Sequence, residues 1–510
     1  MSRPLASALV IILILIGLGR IVSTYWTLNH TMDEPFFIGC GLEWLDNRTY
    51  TYMPEQPPLS HVTAAIGAKL AGARNVSKAD FATKAPLILY DSPSYWRTLA
   101  SARAGELPFF IIAALSVWLW ARRLHGNLAG LAAVLLFTTL PTVLGHAGLA
   151  TTDIALCAML PAALYALVVW LDEPDSKRTL WLALAVAGGV LSKFSFLLYF
   201  SVGALIVLWL SGDLGGWKRL TRRHVMALAS TATCSLGLIW AFYWFDFGPL
   251  WQGLKDVKEH NDYGHLSYLF GEQRITGWWY FFPVVFAYKT PLAFLALVGL
   301  SCIWLRRSPR HHWIPLACGA AVLITAMPSK INIGVRHILP IYPLLAIPAG
   351  LAAARLIQSP KWAARGAGGL LIVAQIAASA ASHPDYIAYF NELAGGKPER
   401  IRVDSDLDWG QPFEELARHL HARGIKETIA LGGFGCVIPI RHGLIDAELA
   451  SPWRTSTGWV AVSATERLMS DQKPPDGSKM KPWSWLDPYE PVDRVGGGAM
   501  LLYYVPKSVK

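Results

Sequence analysis

Two neighbouring stretches decide the fold: "LASALVIILILIGLGRIVSTYW" at residues 5–26, and "HTMDEPFFIGCGLEW" at residues 30–44. The first is apolar over about the 20 residues that a helix needs to cross a bilayer. Its one charge is Arg20, and no small-x-small cleavage pattern follows. It therefore reads as a retained first span rather than a cleaved leader. The second places two adjacent carboxylates, Asp33 and Glu34, one or two helical turns beyond the membrane edge. Acids in that position are costly enough to need a partner or a task.

The rest of the chain agrees with a membrane setting. Of 510 residues, 53% are hydrophobic and 16% charged, against about 25% charged in soluble domains, and the mean hydropathy is +0.36. Further apolar runs begin near Thr98, Leu128, Ile154, Leu180, Phe194, Val225, Lys289, Trp313, Ile338 and Gly368. With the first they predict about eleven transmembrane helices, two of them a tight pair broken at Ser192-Lys193. The net charge of +10 does not point to nucleic acid, because the basic residues cluster in short loops between the runs. Alternate loops hold Arg3; Arg122 and Arg123; Lys177 and Arg178; Lys218, Arg219, Arg222 and Arg223; Arg306, Arg307 and Arg310; and Arg355, Lys361 and Arg365. Positive loops face the cytoplasm. The N-terminus is then cytoplasmic, and the other loops, with everything after about His383, are extracytoplasmic. The expected division is a transmembrane domain over 1–383, with a long first outer loop at 26–97, and an outer α/β domain over 384–510.

Unusual residues gather on the outer side. "YMPEQPPLSH" sets Glu55 and Gln56 before two prolines, which fix the backbone there. "GHAGLATTDIAL" puts Asp153 at the start of an apolar helix. The plain reading of Asp153 is a first-turn acid favoured by the helix dipole. Lys193, Arg274, Lys289, Lys330 and Arg336, with His337 next to the last, stand at outer span edges against the charge trend. One or two would be snorkelling side chains. Five of them opposite acids suggest an anion site at the membrane surface, and a lipid-linked phosphate fits it.

An Asp-Glu pair in a long first outer loop, "EQPPLSH", an Asp ending the second outer loop, and "VRHILPIYP" resemble the GT-C membrane glycosyltransferases. The branch they are most similar to is that of the protein O-mannosyltransferases and lipid A aminoarabinose transferases. "YIAYFNELAGG" and "DSDLDWGQ" look like bacterial members with an outer C-terminal domain. The resemblance implies inverting transfer of a sugar from a polyprenyl-phosphate donor to a glycan, lipid or protein acceptor at the outer face of a bacterial plasma membrane. It makes Asp33 the general base, joined in the catalytic set by Glu34 and Asp153. Glu55, Gln56, Arg274, Lys289, Arg336 and His337 become substrate-binding candidates, with Lys289 and Arg336 foremost for the donor phosphate. Gln56 departs from the His that mannosyltransferases show before the Pro-Pro pair, which puts mannose and a protein acceptor in question.

No cofactor is indicated. In "VDSDLDWGQPFEE", Asp404, Asp406, Asp408 and Glu415 imitate a calcium loop, but Trp409 stands where such a loop needs glycine. The six cysteines show no metal spacing, and Cys40 and Cys436 alone lie outside the apolar runs. In the tail, "PFEELARHLHARGI" has helical spacing, and "TIALGGFG", "GWVAVSAT" and "AMLLYYV" read as strands. A transporter would also carry many spans and buried charges. It fits less well, because the unusual residues crowd one face and no inverted repeat is evident.

Overall fold

A computed structural model describes residues 2–214, 221–474 and 480–507. Every apolar run becomes a helix, but the helices are unequal. Among the described residues, five are long and apolar enough to cross a membrane alone: Arg3–Val22, Tyr95–His125, Asp153–Asp172, Arg222–Phe242 and Trp362–Ala381. Two further crossings require bent pairs, Asn127–Thr138 with Pro141–Ala147 at 65° and Phe281–Lys289 with Leu292–Leu305 at 110°. The bends have a cause in the sequence. Leu140 and Thr290 each precede a proline and are extended, as the clash with the proline ring demands. Ser176–Ser192 and Ser195–Leu210 are the expected tight pair, broken where Lys193 is extended.

Contacts segregate by end. At one end, Arg123 pairs with Asp172, the His125 ring meets His312 at 4.9 Å, and Arg310 lies 5.7 Å over Trp209. All come from the basic loop set, of which Lys218 and Arg219 lie outside the described residues. At the other end, Arg20 donates to the Tyr386 hydroxyl (3.1 Å), and Lys193 meets Asp153. The long stretch 26–97 that follows the first helix is itself largely helical. Its helices Glu34–Asn47 and Leu59–Leu70 pack so closely that a Cβ on Gly41 would lie 1.9 Å from the His61 carbonyl oxygen.

The C-terminal part of the chain forms a five-stranded mixed sheet. A separate hairpin pairs β1 (Ser267–Leu269) with β2 (Glu272–Arg274). The sheet strands are β3 (Ile429–Gly432), β4 (Ala447–Leu449), β5 (Gly458–Ser463), β6 (Asp493–Val495) and β7 (Met500–Val505), in the order β4-β3-β5-β7-β6. β3 runs parallel to β4 and β5, while β7 runs antiparallel to β5 and β6. The three expected strands are β3, β5 and β7. Side chains alternate along them, as pleating requires. Ala461, Met500 and Leu502 face helix Phe413–Ala422, while Val460, Val462, Leu501 and Tyr503 face Trp483 and Leu486. Residues 384–411 precede this sheet and run back into the membrane body. Tyr386 joins the large membrane core, and Ile387 and Trp409 pack on Leu149.

Candidate active site

Asp33 closes a short loop that the C-terminal segment holds in place. Asn29 donates to the Gly410 carbonyl (2.6 Å) and accepts from the Phe413 amide (3.0 Å). The Met32 amide donates to the Trp409 carbonyl (3.0 Å). Helix Glu34–Asn47 begins at the next residue, with Pro35 in its first turn, where the missing N–H has no intrahelical partner to lose. The Asp33 carboxylate is left 28% exposed and accepts from Arg336 Nη1 at 3.0 Å.

Arg336 sits in the turn Val335–Ile338. Gly334 enters that turn at φ +142°, and a Cβ there would lie 2.8 Å from Asp406 Oδ1. The same oxygen accepts from the Val335 amide (2.8 Å). The Arg336 guanidinium lies 4.3 Å over the Trp409 ring, and its buried Nε has no partner. Next to this pair, Asp153 is buried and accepts from Lys193 Nζ (2.7 Å) and Thr151 Oγ1 (3.2 Å). His146 Nδ1 stands 3.9 Å from Asp153 and is likewise unpartnered. Arg336 interacts electrostatically with Asp153 as well as with Asp33. Acids and cations thus alternate in one cluster, with one acid partly open to solvent and two buried nitrogens, Arg336 Nε and His146 Nδ1, without a partner. Such a site can take a proton at one point and an anion at another.

Residues 98–240 match the model of a family described as dolichyl-phosphate-mannose-protein mannosyltransferase. Two solved structures of ArnT from Cupriavidus metallidurans superpose over nearly the whole chain. The one bound to undecaprenyl phosphate has a TM-score of 0.53 at 13% identity, covering 97% of each chain. The apo one has 0.54 at 14% identity, covering 98% of each. The apo oligosaccharyltransferase of Archaeoglobus fulgidus has 0.51 at 13% identity, covering 91% of this chain and 70% of that one. The chain has the GT-C glycosyltransferase fold. With the family match, that fold indicates an integral-membrane glycosyltransferase. None of the curated proteins compared with the chain matches it in sequence.

Within the GT-C frame the candidate residues separate. Asp33, Asp153, Arg336 and His337 come together. His337 lies next to Arg336, its carbonyl accepting from Tyr199 (3.1 Å) and its ring 6.2 Å from Phe282. Gln56 reaches the rim, 3.5 Å from Thr152 Oγ1. Glu55 is partly buried beside Asp256, and burial raises its carboxyl above the usual range.

Three of the candidates have other partners. Glu34 does not face the pocket. It is fully buried and accepts from Arg103 Nε (2.8 Å) and Nη2 (2.9 Å), the Thr31 amide (2.8 Å) and hydroxyl (3.3 Å), and the Ala150 amide (3.0 Å). It braces the loop that carries Asp33. Lys289 is buried too and spends its ammonium on the Ile387 and Asp406 carbonyls, both at 2.6 Å. It clips the C-terminal segment to the membrane body and does not offer itself to a phosphate. Arg274 stands on the exposed hairpin strand β2, paired with Glu272 at 2.8 Å and 5.1 Å from the Trp278 ring.

Other contributors had weak sequence signals. Lys193 was an out-of-place cation without a partner in sequence. Arg103 stands between Arg97 and Glu106 just before an apolar run. Asp404, Asp406 and Asp408, together in sequence, serve different partners: Arg402; Arg402 and the Val335 amide; and Ser463 with Thr465. Among the described residues no group of three or more His, Cys, Asp or Glu is arranged for a metal ion.

Proposed function

We propose that the chain transfers a sugar from a polyprenyl-phosphate donor to an acceptor at the extracytoplasmic face, with inversion at the anomeric carbon and Asp33 as general base. The observation that carries this reading is the pairing of an open acid with a donor-rich cation: Asp33 at 28% exposed against Arg336 at 13%. The acceptor hydroxyl gives its proton to Asp33 as its oxygen bonds to the anomeric carbon. The bond from that carbon to the phosphate oxygen breaks, and its electron pair leaves with the polyprenyl phosphate. Arg336 can keep one N–H on Asp33 and turn its unpartnered edge to the phosphate, stabilising charge as it grows. Lys193 and His337 lie beside it, and Asp153 holds Lys193 in place.

Two further observations support a lipid-linked donor. One of the ArnT structures carries undecaprenyl phosphate. In this chain, an apolar groove of about 740 Å³ runs between helices Ser176–Ser192, Ser195–Leu210 and Arg222–Phe242. Val190 and Leu197 line it on either side of Lys193, so an isoprenoid tail there would bring its phosphate toward the cations. The alternation of loop charges supports a cytoplasmic N-terminus and an outer catalytic face, and we place the chain in a bacterial plasma membrane on its likeness to ArnT from Cupriavidus metallidurans.

The test is transfer from a panel of radiolabelled polyprenyl-phosphate sugars into membrane extracts that hold the acceptor. Asp33→Asn should lower turnover by on the order of a hundredfold or more, with donor binding retained. Turnover close to wild type in that variant would remove Asp33 from the role of base.

A further inference from the structure

The segment 404–411 was expected to belong to a separate outer domain. It instead reaches into the membrane body and touches both halves of the Asp33–Arg336 pair through a single residue. Trp409 is 2% exposed. Its carbonyl accepts from the amide of Met32, the residue before Asp33, at 3.0 Å. Its ring lies 4.3 Å under the Arg336 guanidinium. The His146 ring meets it edge-on at 6.3 Å from the other catalytic acid's side.

Trp409 is itself held firmly. Its amide donates to Gln411 Oε1 (2.7 Å), and the Gln411 amide group donates back to the Leu407 carbonyl (3.0 Å). Asp408, one residue earlier, is tied to Ser463 and to the Thr465 amide (3.1 Å) in the outer domain. Asp406 is fixed by the Val335 amide and by Lys289. The anchors lie in both the membrane body and the C-terminal domain, so the ring's position is over-determined.

A guanidinium has two faces and an edge, and its N–H groups all lie in the edge. A ring on one face satisfies the cation without using any N–H. That leaves Nη1 for Asp33 and Nε free, which is the division of donors that binding a phosphate requires. Resting on the donor reading above, we infer that Trp409 is a positioning residue: its ring sets the plane of Arg336 so that the free edge meets the donor phosphate, while its main chain sets the loop bearing Asp33. The outer domain thereby completes the active site of the membrane domain. Its removal would not leave a working core.

Purified full-length protein in lipid nanodiscs, titrated with undecaprenyl phosphate, provides the test. Wild type should bind it saturably. Trp409→Leu fills much of the ring's place but presents no π face, and should weaken binding about tenfold. Trp409→Phe keeps a ring and should fall between the two. Arg336→Lys should weaken binding also. In that background Trp409→Leu should add less than about twofold, because an effect routed through Arg336 cannot be lost twice. If Trp409→Leu does not fold, the series Trp409→Tyr and Trp409→Phe, each with and without Arg336→Lys, decides in its place. Binding equal to wild type in the folded Trp409 variants, or losses that simply multiply with Arg336→Lys, would overturn the positioning role while leaving the donor reading intact. Absence of saturable binding in wild type would instead overturn the donor reading, and this inference with it.

Discussion

Replacing Glu34 by Gln separates a brace from a catalyst. The two carboxylate oxygens of Glu34 accept five hydrogen bonds: Arg103 Nε and the Ala150 amide on one, Arg103 Nη2 with the Thr31 amide and hydroxyl on the other. An amide offers one oxygen and one NH2. Either flip leaves at least two of these donors facing a donor, at a position closed to bulk solvent. The Arg103 side chain is 1% exposed and would become an uncompensated buried charge. Breaking a buried pair by removing one partner costs about 3–5 kcal/mol, a large part of the roughly 5–15 kcal/mol that holds a domain folded. The loop carrying Asp33 would be the first to feel it, because Arg103 also donates to the Leu28 (2.9 Å) and Asn29 (3.0 Å) carbonyls. Glu34→Gln should therefore lower the melting temperature in detergent sharply, and transfer should fall in proportion to the folded protein remaining. Thermal unfolding followed by size-exclusion of a fluorescent fusion reads the first, and labelled-sugar transfer the second. An unchanged melting temperature with abolished transfer would refute the brace and return Glu34 to the chemistry.

Three further outcomes follow from particular contacts. Burial and the neighbouring Glu415 carboxylate push Asp385 up to about 8 from an ordinary 3.8. The folded chain thus keeps a proton that the unfolded chain releases, and stability falls as pH rises from about 4 to about 8. Asp385→Asn should match wild type in melting temperature near pH 4, exceed it increasingly up to pH 8, and hold a constant gain above; a gain independent of pH would count against the shared proton. Gly41→Ala forces apart helices Glu34–Asn47 and Leu59–Leu70 at the His61 carbonyl. Its cost should lie at or above the top of the about 1–3 kcal/mol range for overpacked cores, measured as lost folded yield, and a normal yield would mean that the contact is looser. Arg274→Ala removes an exposed pair with Glu272 and a contact with the Trp278 ring, and transfer within about twofold of wild type is expected; a loss comparable to that of an Arg336 variant would show that the hairpin reaches the substrate.

The membrane character, the helical runs, the break at Lys193 and the alternation of basic loops were legible in the sequence, because each depends on residues close together in the chain. A span is a local count of apolar residues, and a proline bends the backbone one residue before itself. Pleated alternation likewise exposed β3, β5 and β7, while β4 and β6, three residues each, are too short to show a period. Asp33, Asp153 and Arg336 come from loops far apart in the sequence, and the folded chain brings them together. What each charge does there was not legible in the sequence. Glu34 and Asp33 are neighbours with the same chemistry, yet one is buried against Arg103 and the other faces solvent. Lys289 and Arg336 both stand at the ends of apolar runs, yet one is consumed by main-chain carbonyls and the other keeps an unpartnered Nε. Only the tertiary structure could decide this, because a charge takes its role from the partners that surround it. Those partners, 69 residues from Glu34 and 303 from Asp33, meet it only when the chain has folded.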